Sequence, residues 1–416
     1  MNKTENLKVE RLINLALRVA NMVARFTFIF LLAKYLDPAS VGYYGIFAAT
    51  VGYAIYFVGL DFYTFVSREI LRQPSVRRGS LLKNQVALSG ILYIIFLPFS
   101  VAFLFYSNWP CSLVWWFLPI LFLEHINQEI IRLLTVLSDQ VASSLMLFVR
   151  QGSWVAFVIA LMHVNLNARN LNTVMIFWVV AGAFTLAIGL LKIKALKFEG
   201  WAVPVDWLWI KKGIKISSVF LVATLALRAL NTLDRYWVEA LGGIEAVGAY
   251  VLLIGVASTQ LTFLEAVVFS FGYPKLIECY NEKNHREANF LVRDMYIQTA
   301  IFSFVFGLTS WLLLPHFLAG LGNSLYLESK EIYPFLLAAM TFNALSMVAH
   351  YALYAQGEDG HIILSHIVAL PIFGVVTWLY SEVSTLFAVP IGLVVAFMSI
   401  FFWKSSVYFF KSKYFQ

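Results

Sequence analysis

The sequence predicts an all-α polytopic membrane protein, with about twelve transmembrane helices in two six-helix lobes related by a parallel repeat. Three observations carry this. The 416 residues are 61% hydrophobic and only 13% charged, with a mean hydropathy of +0.78, whereas soluble domains carry about 25% charged residues. Apolar segments of about 20 residues, long enough to cross a bilayer as a helix, recur along the whole chain. A short motif at the start of the second span returns half a chain later, at the start of the eighth.

The spans follow in order. The first, 12–34, bears Arg11, Asn14, Arg18, Asn21 and Arg25, spaced alternately by three and four and therefore on one helix face. The second, 41–66, opens on Val41-Gly42-Tyr43-Tyr44 and encloses Asp61. The third, 81–106, is almost uninterruptedly apolar. The fourth, 113–137, is the most polar, with Glu124, His125, Gln128, Glu129 and Arg132. The fifth, 141–163, holds Arg150-Gln151, and the sixth, 172–193, runs into Lys192, Lys194 and Lys197.

The second set starts with 214–239, where Thr224, Arg228, Asn231 and Arg235 repeat the Arg/Asn stripe of the first span. The eighth, 246–271, opens on Val247-Gly248-Ala249-Tyr250 and adds Ser258, Thr262 and Glu265. The ninth is 291–314. The tenth, 332–355, carries Asn343, Ser346 and His350, the eleventh, 361–380, carries His366, and the twelfth is 385–409. Six spans separate the motif copies. That even number gives both halves the same orientation, with an N-terminal lobe at 1–200 and a C-terminal lobe at 201–416. Transporters built from such repeats bind substrate between their halves and alternate access.

Basic residues set the orientation. With the N-terminus cytoplasmic, only Lys34, Arg169 and Lys330 of the 30 Lys and Arg residues fall on the opposite side. Arg18, Arg25, Arg150, Arg228 and Arg235 lie within spans. All the others, Lys404 among them, fall on the cytoplasmic side, which places both termini there. The longest connections are 194–213 and 272–290 inside and 315–331 outside, none long enough to be a domain. The second inside segment reads as a charged connector.

Several functions are excluded. Cys111 and Cys279 lie apart without metal-site spacing, the seven histidines form no HxxxH pair, and no phosphate-cradling glycine motif is present. A metal centre, a cofactor, nucleotide hydrolysis and enzymatic chemistry are therefore not expected. The pI near 9.2 fits cytoplasmic loops facing anionic lipid rather than nucleic acid.

An arginine at the bilayer centre costs about 2.5–3.5 kcal/mol even on a mild scale, so the Arg18/Arg25 face must meet protein, water or a ligand. Two readings compete. The acids Asp61, Glu124, Glu129, Asp234 and Glu265 could neutralise the span arginines and hold the bundle together. Alternatively the stripe receives an anion, and the planar guanidinium fork suits phosphate. Candidate substrate-binding residues are Arg18, Asn21, Arg25, Arg150, Arg228, Asn231 and Arg235. The five acids are candidates for ion coupling or structural pairing.

The runs Leu36-Asp37-Pro38-x-x-Val41-Gly42-Tyr43-Tyr44 and Asn231-x-x-Asp234-Arg235, followed by Gly242-Gly243 and Val247-Gly248-x-Tyr250, resemble the polysaccharide-biosynthesis transporters. These are the Wzx-type O-antigen flippases, of the superfamily that includes multidrug and toxin extruders. The resemblance implies a MATE-like fold in the bacterial inner membrane. It implies movement of an undecaprenyl-pyrophosphate-linked oligosaccharide from the cytoplasmic to the periplasmic leaflet, with H+ or Na+ coupling and a polysaccharide polymerase and chain-length protein as partners. Arg18, Arg25, Arg228, Asp234 and Arg235 are the positions it points to. The alternatives are a multidrug exporter, which would favour an acidic cavity, and a membrane polysaccharide polymerase, which would need a larger loop.

Overall fold

The computed structural model describes residues 3–107 and 109–414, which are helical nearly throughout and contain no strand. Helix α1 spans Lys3–Tyr35 and α2 spans Pro38–Gly59. Asp37 caps α2, its carboxylate accepting from Ser40 N at 2.9 Å and Ser40 Oγ at 2.7 Å, and Pro38 supplies a pre-set φ for the first turn. Burial acts to raise the Asp37 pKa, but the hydrogen bonds from Ser40 and neighbouring backbone prevail and hold it below the usual carboxylate value. Asp37→Ala should cost about 1 kcal/mol, read as a lower thermal midpoint of the purified protein in detergent. Because the folded pKa is depressed, the contribution is present at neutral pH and is lost as pH falls through the folded carboxyl's value.

The predicted second span, 41–66, is cut at Gly59. Leu60 and Asp61 adopt left-handed backbone with φ of 49° and 50°, a rare conformation for such residues. Thr64 N and Oγ donate to Asp61 O at 3.0 and 2.8 Å, starting a separate helix, α3 (Tyr63–Arg72). Helices α4 (Ser75–Tyr106), α5 (Cys111–Val136) and α6 (Gln140–Phe148) follow. A π turn at Val149–Ser153 carries the chain from α6 into α7 (Trp154–Val164), and α8 is Leu171–Ala195.

Helix α9, Trp207–Leu264, consists of two arms meeting at Gly243, whose φ of 78° and ψ of 175° suit glycine alone. The predicted turn at 241–245 is thus reduced to one residue. A second π turn, Glu265–Phe269, leads into α10 (Ser270–Asn281). Helices α11 (His285–Ala319), α12 (Ser324–Glu328), α13 (Tyr333–Ala355), α14 (Asp359–Ser381) and α15 (Thr385–Tyr414) complete the chain. The connector expected at 272–290 is mostly helix, because α10 and α11 extend to within three residues of each other. The loop expected at 315–331 holds the end of α11 and the short α12.

Ten helical stretches among the described residues are long and apolar enough to cross a membrane. Two features relate them to the twelve predicted. Trp207–Asn281 counts as one stretch but contains the seventh and eighth predicted spans. Helix α5, the predicted fourth span, is 26 residues long but falls outside the ten, its acids and amides lowering its hydropathy.

The chain groups into two compact units, one of Met1–Phe28 with Phe47–Thr224 and one of Ile29–Ile46 with Leu225–Gln416. In the first, Phe62 and Phe65 pack on Trp209 with ring centroids 5.6 and 4.8 Å apart. In the second, α13, α14 and α15 pack through fully buried small residues such as Ala344, Ala369 and Ala396, which bring membrane helices close. The two copies of the repeated motif also meet within this unit. A Cβ on Gly42 would lie 2.1 Å from Ile244 O, and one on Gly248 would lie 2.0 Å from Pro38 O. Each motif therefore seats its glycine on the backbone beside the other.

Candidate functional site: the basic face of α1 and the polar centres of the two units

In the first unit the α1 stripe divides into two kinds of residue. The asparagines pack onto the α6–α7 segment. Asn14 Nδ2 donates to Gln140 Oε1 at 3.2 Å and Ser144 Oγ donates to Asn14 Oδ1. Asn21, 7% exposed, donates to Gln151 Oε1 at 3.4 Å. Its own Oδ1 is buried without a hydrogen-bond partner and lies 3.1 Å from where a Cβ on Gly152 would be. The π turn at 149–153 presents Gln151 and Gly152 to that amide; turns of this kind are frequent at functional sites.

Arg18 and Arg25, by contrast, are exposed. Arg18 Nε donates to Asn14 Oδ1 at 3.2 Å. No carboxylate forms an ion pair with Arg18 or Arg25 among the described residues. The Arg11 side chain lies outside the described residues.

Behind this face the acids of α5 already have partners. Glu124 forms an ion pair with Arg150, whose Nε donates to Glu124 Oε2 at 2.9 Å. Trp178 Nε1 donates to the other carboxylate oxygen at 2.9 Å. Both charged residues are buried, 7% and 6% exposed. Glu129 pairs with Arg132 at 2.7 Å and accepts from Gln85 Nε2 at 2.5 Å. The Arg132 guanidinium stacks 3.6 Å over the Tyr63 ring. Asp61 is buried in the left-handed turn preceding Tyr63. His125 Nδ1 and Tyr93 Oη are 3.0 Å apart, and Asn127 Nδ2 donates to Gly182 O at 2.8 Å. Helix α5 is thus a polar spine whose groups mostly find partners on its neighbours, while His125 Nε2 and Asn127 Oδ1 are buried without one.

In the second unit Arg228 is exposed, like Arg18 and Arg25. Asn231 is turned back on its own helix, Nδ2 donating to Leu227 O at 3.1 Å. Asp234, 1% exposed, accepts from Arg235 N at 2.8 Å, Arg235 Nη1 at 2.9 Å and Tyr250 Oη at 2.7 Å. The Asn231-x-x-Asp234-Arg235 run and the Tyr250 motif are therefore one hydrogen-bonded assembly. Glu265 opens the second π turn. Lys404 is 1% exposed inside α15, donating to His366 Nε2 at 2.9 Å and to His350 Nδ1 at 3.3 Å.

Arg18 and Arg25 in the first unit and Arg228 in the second are therefore exposed. The other two span arginines, Arg150 and Arg235, are paired with acids. Sequence reasoning missed Trp178 and Tyr93, each an isolated polar group in an apolar run, and Gln85, which follows Lys83 and Asn84. Their only signal was that buried indole, amide and phenol groups need partners.

No family model matches the chain, and no curated protein matches it. Solved structures do. A multidrug resistance MATE family transporter of the MOP superfamily, in an inward-facing conformation, superposes with a TM-score of 0.76 at 11% identity, over 96% of this chain and 98% of that one. A MATE protein in complex with MaD3S gives 0.65 at 13% identity, over 98% and 96%. A point mutant of the Vibrio cholerae MATE transporter VcmN gives 0.60 at 13% identity, over 99% and 98%. The chain has the MATE transporter fold across essentially its whole length.

Proposed function

We propose that the protein is a multi-pass membrane transporter rather than an enzyme, and that its cargo is anionic. The fold likeness supports the first half. By itself it fits export of small amphiphilic compounds at least as well as any other cargo, since the first structure named above is of a multidrug resistance transporter. The observation that carries the second half is that Arg18 and Arg25 stay exposed and without an acid partner, while Glu124, Glu129 and Asp234 are already engaged. A basic face favours a phosphate-bearing ligand over a cationic drug.

Together with the motif resemblance, this favours a lipid-linked oligosaccharide carried on undecaprenyl pyrophosphate. The polyprenyl tail stays in the bilayer while Arg18 and Arg25 offset the cost of bringing phosphate charge to membrane depth. The expected setting is the bacterial inner membrane with both termini cytoplasmic, transfer toward the periplasmic leaflet, and a polymerase and chain-length protein downstream. An H+ or Na+ gradient supplies the energy, with Asp61 or Glu265 as coupling carboxylates.

Arg25→Ala removes a charge-assisted contact worth about 1.5–3 kcal/mol, so surface polysaccharide should fall about 10- to 100-fold in cells dependent on this chain. Arg25→Lys keeps the charge but loses the fork and should be intermediate. Normal polysaccharide in both variants overturns the role of Arg25. The second reading predicts that overexpression raises resistance to cationic drugs while leaving surface polysaccharide unchanged.

A further inference from the structure

Lys404 is buried in α15 between two histidines from different helices. His350 comes from α13 and His366 from α14, their rings nearly parallel at 13° with centroids 6.2 Å apart. The ammonium nitrogen contacts one nitrogen of each, at 3.3 and 2.9 Å. A lysine donating to both imidazoles requires two unprotonated ring nitrogens. No carboxylate forms an ion pair with Lys404 among the described residues.

The groups around the cluster are neutral or engaged elsewhere. From α13 the Tyr351 ring stands 5.7 Å from His350, and Glu265 of the π turn acts on Tyr351. From α11 the Tyr296 hydroxyl bonds Ser405 Oγ at 2.9 Å, Asp294 accepts from Gln298 at 2.7 Å, and Arg293 is exposed. On α14, Asp359 sits in the first turn. Three basic groups share one buried space in which each added positive charge raises the cost of the next. Such a cluster holds few protons and exchanges one readily when its surroundings change.

A second polar group lies farther along α15. Lys404, Tyr408 and Lys411 follow at steps of four and three, hence on one face of α15. Tyr408 Oη donates to Asn289 Oδ1 at 2.7 Å and is hydrogen-bonded to Tyr280, which accepts from Gln356 Nε2 at 2.7 Å. Lys411 pairs with Glu358.

We propose that Lys404, His350 and His366 form a proton-binding site that couples cargo movement to a proton gradient. One proton adds to the shared amine–imidazole set and later leaves it, with no other bond made or broken. The coupling role deepens the transporter reading above and rests on it, whereas proton binding stands without it.

The test measures proton uptake by the purified full-length chain in detergent with a pH-indicator dye, stepping from about pH 9 to pH 6, within the span of ordinary lysine and histidine values. Lys404→Met, which replaces a buried cation by an apolar chain of similar length and should fold, removes the charge that opposes histidine protonation and should shift the midpoint of uptake by about one pH unit or more. His366→Gln, whose amide can still accept from Lys404, should shift the midpoint of uptake by about one pH unit or more. Uptake like the wild type in both variants overturns the site. In cells dependent on the chain, Lys404→Met should lower surface polysaccharide about tenfold or more while Glu382→Gln, at an exposed position just past α14, retains it. An unchanged level in Lys404→Met overturns the coupling role. If the wild type shows the proton difference yet moves neither glycan nor drug, the transporter reading fails and the proton site stands.

Discussion

Glu124→Ala is expected to destabilise the first unit by about 3–5 kcal/mol, the largest single effect foreseen for a side-chain truncation here. The Arg150 guanidinium would be left buried with its acid partner gone, and Trp178 Nε1 would lose its acceptor. The charge is part of an apolar bundle, and the π turn that carries Arg150 fixes it where it stands. The measurement is thermal unfolding of the purified protein in detergent. Replacing both partners by apolar residues, Glu124→Leu with Arg150→Met, should recover most of the loss, since buried ion pairs replaced by well-packed apolar groups are often neutral. A double variant as unstable as the single one would show that packing, not charge, sets the cost.

Gly248→Leu is expected to abolish recovery of folded protein, and Gly248→Ala to reduce it severely. The added Cβ meets a carbonyl oxygen at 2.0 Å and the Pro38 carbonyl carbon at 2.9 Å. These are backbone atoms and cannot rotate away, so the penalty should exceed the roughly 1–3 kcal/mol usual for overpacked side chains. Gly42→Ala meets Ile244 O at 2.1 Å and should behave alike. Gly52, with nothing within 4 Å of an added Cβ, is the control, and Gly52→Ala should leave yield unchanged. Fluorescence-detected gel filtration of detergent extracts separates these outcomes.

The helical membrane fold was legible because hydropathy reports burial in lipid directly. The parallel repeat was legible because its motif is local. Pairings between spans were not. Nothing in the spacing links Arg150 to Glu124 rather than to Glu129, because the π turn changes the phase of the helix that carries it. The separation of the α1 stripe into packed asparagines and exposed arginines depends on Gln140, Ser144 and Gln151 opposite it, which no periodicity of α1 reveals. Asp61 read as a lone acid inside a helix because left-handed backbone at Leu60 and Asp61 is set by tertiary packing, not local propensity. Lys404 was counted among the cytoplasmic basic residues by the order of the spans, a count that does not report burial. Its steps to Tyr408 and Lys411, and the two histidines in spans ten and eleven, were the signals that it lies inside.

The crossing of the two repeated motifs also bears on heredity. Each glycine rests on main chain beside the other copy, so a substitution at either position meets an obstacle that no change of side-chain identity opposite can remove. The two positions behave as one locus: damage at the first should not deepen additively at the second, and selection for second-site suppressors of Gly42→Ala should return true revertants rather than compensating residues near Ile244. A duplication that began with two independent motifs has left them bound to a shared fate.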